Sequence, residues 1–492
     1  MGAIDHFIAG KAVSTSEGQS DLFNPSTGEK SGEVLMGGAP EIDTAVAAAK
    51  EAQEEWAKIG ISHRAYIMLE LRAQLVAHKD KLINMMVEEG GKTKDDATGE
   101  FMKTLEGAAF AASAPTWIST RHTLGVSTGI DTYELRTPVG VVAAICPFNF
   151  PIMIGMVQAT ISIVCGNAVI IKPSEKTPSA MRLIGELFKK AGLPDGIFNI
   201  VNGGRNAVDR IIAHPDIGGI SFVGSTTVAE KVRIGGVTNG KKVQAFGSGK
   251  NHMIVMPDAD LDMAADAAAS AAYGASGQRC MAISVLVAVG SIADELVEKI
   301  KQRIPNIITG SSMNDDTELG PVISSESRDR IHGFLEEVES EGASLSVDGR
   351  LEKAGGFNVG ACLVDNVQPG MRIYDEEVFG PVLSIVRVPT YEEAITVAQG
   401  HPMGNGAAIF TRDGGLVRRY LNEVQSGMAG VNVPIPVPIF AHSFGGWKGS
   451  AYSETKLTGA DAVNFHTNVK TVVSRWPDPE TSKVDLGFMT DR

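Results

Sequence analysis

Apolar residues recur at helical spacing over 41–59, through Ala45, Ala48 and Ala49 to Trp56, and this pattern predicts an amphipathic helix. Further helices are predicted over 63–78, 80–90 and 93–113. Upstream, Phe7-Ile8-Ala9-Gly10-Lys11 and the stretch 21–29 read as short strands joined to a turn, because Asn24-Pro25 and Thr27-Gly28 supply turn chemistry. Residues 119–139 differ in kind. The runs 123–129 and 132–137 predict a two-stranded ribbon, and a lone hairpin is marginal in water, so it needs a partner surface. That surface is either another subunit, reached by a projecting arm, or the ribbon's own domain.

Beyond 139, continuous apolar runs alternate with helical patterns. Val139-Gly140-Val141-Val142-Ala143-Ala144-Ile145 has the composition of a strand buried on both faces, and 168–173, 197–201 and 219–223 repeat it. Helices fit between these runs at 151–163, 178–191 and 205–213. Strands spaced by helices imply βαβ units and a parallel sheet, whose ligands sit at the carboxyl ends of the strands. The segment 251–440 repeats the style as a second α/β unit, with strands at 251–256 and 284–289 and helices at 259–272 and 292–303. A strand is predicted over 464–475, and the polar residues 477–492 are expected to cover a surface.

A chain of 492 residues is too long for one core and suggests two to four domains. Its net charge of -14 gives no electrostatic support to a nucleic-acid role. No apolar run reaches the length of a membrane span. Cys146, Cys165, Cys280 and Cys362 show neither CxxC pairing nor zinc spacing, so no metal is expected. A reducing compartment follows: the cytoplasm, or an organelle matrix if a targeting segment has been removed.

The candidate chemistry gathers in five places. In Tyr273-Gly274-Ala275-Ser276-Gly277-Gln278-Arg279-Cys280-Met281, a thiol follows a run of small residues that brings backbone close to a docked ligand. Cys280 is either a nucleophile, its thiolate favoured by neighbouring Arg279, or a buried inert cysteine. Phe222-Val223-Gly224-Ser225-Thr226-Thr227 ends a strand and opens a helix, which suits an anion or a plain N-cap. Lys172-Pro173-Ser174-Glu175 ends another strand and suits ribose hydroxyls or solvent, and no GxGxxG fingerprint is present. Asn149, in Pro147-Phe148-Asn149-Phe150-Pro151, is either an oxyanion donor or the start of a helix-initiating turn. Glu376-Glu377-Val378-Phe379-Gly380-Pro381 is a solvated face or a contact for a hydroxylated ligand.

These segments, in this order, resemble the aldehyde dehydrogenase superfamily, with the pattern aromatic, three residues, Gly-Gln-x-Cys met by Tyr273 through Cys280. The resemblance runs from Phe23-Asn24-Pro25 to the strand after Asn464. It implies an α/β fold with a Rossmann-type NAD-binding domain (1–119 and 139–250), a catalytic domain (251–440) and a β oligomerisation arm (120–138 and 458–476) giving a homodimer or homotetramer. It also implies Cys280 as nucleophile and Asn149 as oxyanion donor. Phe148, Lys172, Glu175, Gly224, Ser225, Glu377 and Phe379 become cofactor contacts. Glu175 disfavours the 2′-phosphate of NADP, with Lys172 and Lys176 able to offset it. Most members carry Glu-Leu-Gly-Gly-Lys, whose Glu activates water; here Gln244-Ala245-Phe246-Gly247-Ser248-Gly249-Lys250 puts Phe246 in its place. A general base contributes roughly 10²–10⁴-fold, so water attack on a thioester is expected to be slow. The closest branch, that of CoA-acylating methylmalonate semialdehyde dehydrogenases, instead transfers the acyl group to CoA, with loss of CO₂. It is matched by Lys250-Asn251-His252, Gly277-Gln278-Arg279-Cys280-Met281-Ala282 and 431–438. That branch holds its substrate carboxylate with arginines. Arg279 matches one, and Lys103 stands at the second, keeping the charge without the bidentate fork. The alternative is a hydrolytic NAD(P)-dependent aldehyde dehydrogenase acting on another aldehyde with another base.

Overall fold

The computed structural model describes residues 3–350, 355–476 and 480. Its first sheet has eight strands, in the order Lys11–Val13, His6–Ile8, Phe198–Ile200, Ala168–Lys172, Val141–Ile145, Ile217–Val223, Lys242–Phe246, Ala451–Tyr452. The five from Phe198–Ile200 to Lys242–Phe246 pair in parallel, and the outer pairings are antiparallel. Register sets the site. Ile145 lies opposite Lys172 and Phe222, and Val223 opposite Phe246, so the carboxyl ends of four strands finish nearly level.

The predicted N-terminal helices form as Ala39–Trp56, Ile61–Ala77, Lys79–Gly90 and Lys94–Ala112, and the strand Lys30–Met36 was not anticipated. Their apolar stripes and the helices Met153–Val164 and Ser179–Lys190 cover the sheet around one core that includes Trp56, Leu71, Phe101 and Phe188. Trp56 satisfies its buried indole N–H on the Ile163 carbonyl at 2.9 Å.

The second sheet has seven strands, in the order Ser344–Val347, Cys362–Asp365, Val382–Val388, Ile283–Val289, Asn251–Val255, Gly406–Phe410, Met428–Val431, parallel except at the first pair. The turn from Lys242–Phe246 to Asn251–Val255 crosses from one sheet to the other, so the segment 247–250 lies where both units meet.

The ribbon forms as His122–Ser127 and Ile130–Pro138, and a third strand, Thr467–Arg475 of the same chain, pairs with Ile130–Pro138 along its whole length. The strand expected over 464–475 begins late: Asn464–His466 closes a helix, Gly459–His466, whose Ala462, Val463 and Phe465 are buried. Buried Asn167 ties this junction down, donating to the Ser162 and His466 carbonyls and accepting from the Gly140 N–H. Apart from Glu480, the expected surface-covering segment 477–492 lies outside the described residues. Among the described residues, no helix is long and apolar enough to cross a membrane, and no cluster of metal-ligating side chains occurs.

Candidate active site

Cys280 lies between two cavities. One, of about 410 Å³, runs along the carboxyl ends of the first sheet and is lined by Phe148, Asn149, Lys172, Glu175, Gly224, Ser225, Glu377 and Phe379. Every residue expected to touch the cofactor therefore faces one cleft. The other, of about 580 Å³, is lined by Asp96, Lys103, Phe150, Met153, Arg279, Ile435, Val437 and Phe444 among others, and so contains both expected carboxylate-binding residues. Cys280, Phe150 and Ile154 line both cavities.

The loop that carries Cys280 is built from unusual backbone. The helix Leu261–Tyr273 ends, and Ala275, Ser276 and Gly277 follow in succession at φ 52°, 56° and 69°. Left-handed conformation costs a residue with a Cβ roughly 1–2 kcal/mol, so the loop persists because neighbours hold it. The Ala275 N–H donates to Asp96 Oδ2 at 3.0 Å, Ser276 Oγ donates to the Gly320 carbonyl at 2.7 Å, and Gln278 Oε1 accepts the Ile323 N–H at 3.1 Å. A Cβ on Gly277 would stand 2.0 Å from the Gly380 carbonyl oxygen. That contact brings the loop carrying Glu377 and Phe379 against the one carrying Cys280.

The Cys280 carbonyl is gripped by Asn251 Nδ2 at 2.9 Å and Asn405 Nδ2 at 3.0 Å. Asn149 donates through Nδ2 to the Gln278 carbonyl at 2.9 Å, which fixes its amide beside the thiol and uses one of its two amide protons. Its own carbonyl accepts from Lys92 Nζ at 2.8 Å. Lys92 in turn faces buried Glu100 Oε2 at 3.0 Å and lies over the Phe150 ring, while Glu100 Oε1 accepts the Ile152 and Met153 N–H groups. Sequence reasoning missed Lys92, Glu100, Asp96 and Asn405. Lys92 and Glu100 pair only eight residues apart, but the contacts that tie these four residues to the site reach 52 to 183 residues along the chain, and none of the four stands in a recognised motif.

The thiol itself corrects an expectation. Burial, reinforced by the Glu377 charge, pushes Cys280 up to about 12, against the Cys280 and Met281 N–H groups and the Asn405 amide, which favour the thiolate. Arg279 does not activate it: its Nη2 is paired with Asp96 Oδ1. Lys103 is likewise paired, with Glu106 at 2.7 Å.

The residues expected to touch the cofactor all line the 410 Å³ cavity. Ser225 is the N-cap of the helix Thr226–Thr238 but makes no capping bond with its side chain, so its hydroxyl is not consumed by the plain N-cap role. Lys172 is buried and donates to the Gly203 carbonyl at 3.0 Å, with Glu175 Oε2 at 3.4 Å. Glu377 accepts the Gly249 N–H at 2.8 Å, and burial raises its carboxyl. Phe379, at φ 52°, meets Phe148 edge to face with ring centres 5.9 Å apart, and Arg330 holds the carbonyls of Glu377 and Val378 ahead of it. Cation, carboxylates, a helix N-terminus and aromatic edges in one cleft fit a dinucleotide. Phe246 is buried at 6% exposure among Ile154, Val157, Phe440 and Leu457, so the position expected of a base is apolar in its surroundings as well as its side chain.

A strained cysteine loop between two cavities, one of them lined with groups that suit a dinucleotide, fits a thiol-dependent oxidoreductase. The family model described as "Aldehyde dehydrogenase family" matches residues 12–472, and the chain belongs to that family. It is 42% identical over 482 residues to a malonate-semialdehyde dehydrogenase of Pseudomonas aeruginosa, covering 97% of each chain. It is 43% identical to malonate-semialdehyde dehydrogenase 2 of Geobacillus kaustophilus, covering 96% of this chain and 99% of that one. Among solved structures, the methylmalonate-semialdehyde dehydrogenase of Oceanimonas doudoroffii superposes with a TM-score of 0.96 at 41% identity, over 98% of this chain and 99% of that one. A Sinorhizobium meliloti protein solved in complex with NAD gives the same TM-score, 0.96, at 45% identity over the same shares, 98% and 99%.

Proposed function

We propose that this protein is an NAD-dependent, CoA-acylating semialdehyde dehydrogenase, acting on malonate or methylmalonate semialdehyde and releasing acetyl-CoA or propionyl-CoA with loss of CO₂. The observation that carries the acylating part is Phe246, buried in an apolar cluster where a water-activating carboxylate would have to stand. The names of the full-length relatives support the substrate class, and the NAD complex of a 45%-identical structure supports the cofactor.

In this reading the aldehyde enters the 580 Å³ cavity with its carboxylate toward Arg279 and Lys103. The Cys280 sulfur bonds to the carbonyl carbon, and the displaced electron pair on oxygen is met by the Asn149 amide and the Cys280 N–H. A bound nicotinamide would supply the hydride acceptor; Lys172, Glu175, Gly224, Ser225, Glu377, Phe148 and Phe379 would hold it. Loss of hydride from the carbon restores the carbonyl as a Cys280 thioester. The CoA thiolate then bonds to that carbon and Cys280 leaves as thiolate, so no protein base is needed to activate water. The bond between the α carbon and the carboxylate breaks to release CO₂, and the α carbon takes up one proton while the CoA thiol gives one up, so no proton is released overall.

We further assign 1–119 with 139–250 to cofactor binding, 251–440 to catalysis, and the three-stranded sheet to contact between copies of the chain. Support for the last comes from exposed Leu124, Val126, Leu135, Val469, Val473 and Trp476 on or beside that sheet.

The test is a panel of aldehydes assayed for NADH with and without CoA. The proposal predicts rapid turnover of malonate and methylmalonate semialdehydes only with CoA, giving acyl-CoA and CO₂. Release of free acid at an undiminished rate without CoA would overturn the acylating assignment.

A further inference from the structure

One carboxylate touches both halves of the substrate problem. Asp96 stands in the first turn of the helix Lys94–Ala112, where the N-cap hydroxyl of Thr93 bonds its N–H and its Oδ2. Its Oδ2 also accepts the N–H of Ala275, the first of the three left-handed residues that precede Cys280. Its Oδ1 takes Nη2 of Arg279. Asp96 is only 13% exposed and Arg279 25%. The guanidinium also lies against Gly274, where a Cβ would come within 2.8 Å of Nη1, so the loop backbone confines it as well as Asp96. Of the five guanidinium N–H donors, Asp96 engages one nitrogen, which leaves other donors for a ligand in the cavity that Asp96, Arg279 and Cys280 share.

We propose that Asp96 is a positioning residue that fixes Arg279 and the Cys280 loop relative to each other, so that a substrate carboxylate bound by Arg279 places its aldehyde carbon at the sulfur. The carbonyl and the carboxylate of a 3-oxo acid are separated by one carbon, so a short semialdehyde reaches both partners only if their spacing is held. An arginine has several rotatable bonds and would otherwise spread over many positions. This inference rests on the semialdehyde reading above, but its first test does not.

That test compares alkylation of Cys280 by iodoacetate and by iodoacetamide in the wild type, Asp96→Asn and Asp96→Ala, with the modified peptide identified by mass spectrometry. The two reagents differ in a carboxylate, so the ratio of their rates reports how well Arg279 is aimed, whatever the natural substrate. Asparagine keeps an oxygen for the Ala275 N–H but loses the ion pair. The expected result for Asp96→Asn is a fall of about tenfold in the iodoacetate-to-iodoacetamide ratio, with the iodoacetamide rate within twofold of wild type. Asp96→Ala should lower both rates. For malonate semialdehyde, Asp96→Asn should raise KM about tenfold and leave kcat within threefold, with KM for propanal unchanged. A merely structural role would depress both reagents and both aldehydes alike. An unchanged ratio, or a raised one as expected if Asp96 competes with the substrate for Arg279, overturns the inference. If wild type prefers propanal to malonate semialdehyde while the alkylation ratio still falls in Asp96→Asn, the substrate reading fails and the positioning role stands.

Discussion

Lys92→Met tests how Asn149, the proposed oxyanion donor, is held. Lys92 is 6% exposed and its partner Glu100 is fully buried, at 0%. Methionine fills the same channel over the Phe150 ring without a charge. Two interactions are lost: the ion pair at 3.0 Å and the bond from Nζ to the Asn149 carbonyl at 2.8 Å. Removing one partner of a buried pair costs about 3–5 kcal/mol, because the remaining charge stays uncompensated. Adding Glu100→Gln removes that charge, while its amide oxygen can still accept the Ile152 and Met153 N–H groups. The unpaired Asn149 carbonyl remains, at roughly 1–3 kcal/mol. The double variant should therefore recover about 1–2 kcal/mol relative to Lys92→Met alone, the part of the loss due to the stranded charge. Catalysis should not recover with it. The Asn149 backbone is unheld in both variants, and kcat should fall about tenfold to a hundredfold, short of the roughly 10²–10³ lost when an oxyanion donor is removed outright. Urea unfolding at fixed protein concentration gives the stabilities, and saturating NADH assays give kcat. Stability of Lys92→Met within 1 kcal/mol of wild type, or a double variant no more stable than the single one, would refute the reasoning.

Three further outcomes are expected. Phe246→Glu restores the carboxylate that most family members carry at this position, and under the proposed mechanism NADH production without CoA should rise at least about tenfold, below the roughly 10²–10⁴ of a well-placed base because the new group is buried among apolar side chains. In the ligand-free protein, iodoacetamide alkylation of Cys280 should keep climbing through pH 9 to 10, since burial and the Glu377 charge hold the thiol near 12; a plateau near the ordinary thiol value of about 8.5 would show that neither acts. If the three-stranded sheet joins copies of the chain as proposed, Val473→Glu, at an exposed position on it, should lower the molar mass measured by light scattering while leaving the protein folded by circular dichroism.

The fold was legible where one periodicity decided the outcome. The stripe in 41–59 and the run at 139–145 have a single physical solution, an amphipathic helix and a strand buried on both faces, and each formed within a few residues of its expected bounds. The end of the chain was harder, because 464–466 satisfy both an alternating pattern and the buried face of a short helix, and packing of Val463 and Phe465 settled it. In the site, Phe148, Asn149, Lys172, Glu175, Gly224 and Ser225 were legible because each lies at or just past the carboxyl end of a strand whose run is visible, whereas Glu377 and Phe379 precede the strand Val382–Val388 and were reached only through the resemblance. Locally Arg279 reads as a charge beside the thiol, and only the resemblance makes it a carboxylate-binding residue; its pairing is not legible. Its counter-ion, Asp96, lies 183 residues earlier, and no local pattern joins them. Asn405 and Lys92 were invisible for the same reason: their partners at Cys280 and Asn149 are 125 and 57 residues away.

The central claim is that Cys280 carries an acyl group that waits for CoA. It is tested most directly by mixing enzyme, NAD and malonate semialdehyde without CoA, following NADH, and mapping the protein by mass spectrometry. The account predicts a burst of about one NADH per active site, an acyl group on the Cys280 peptide, and its release as acyl-CoA when CoA is added. Continuous turnover without CoA, or an unmodified Cys280 after the burst, would contradict it.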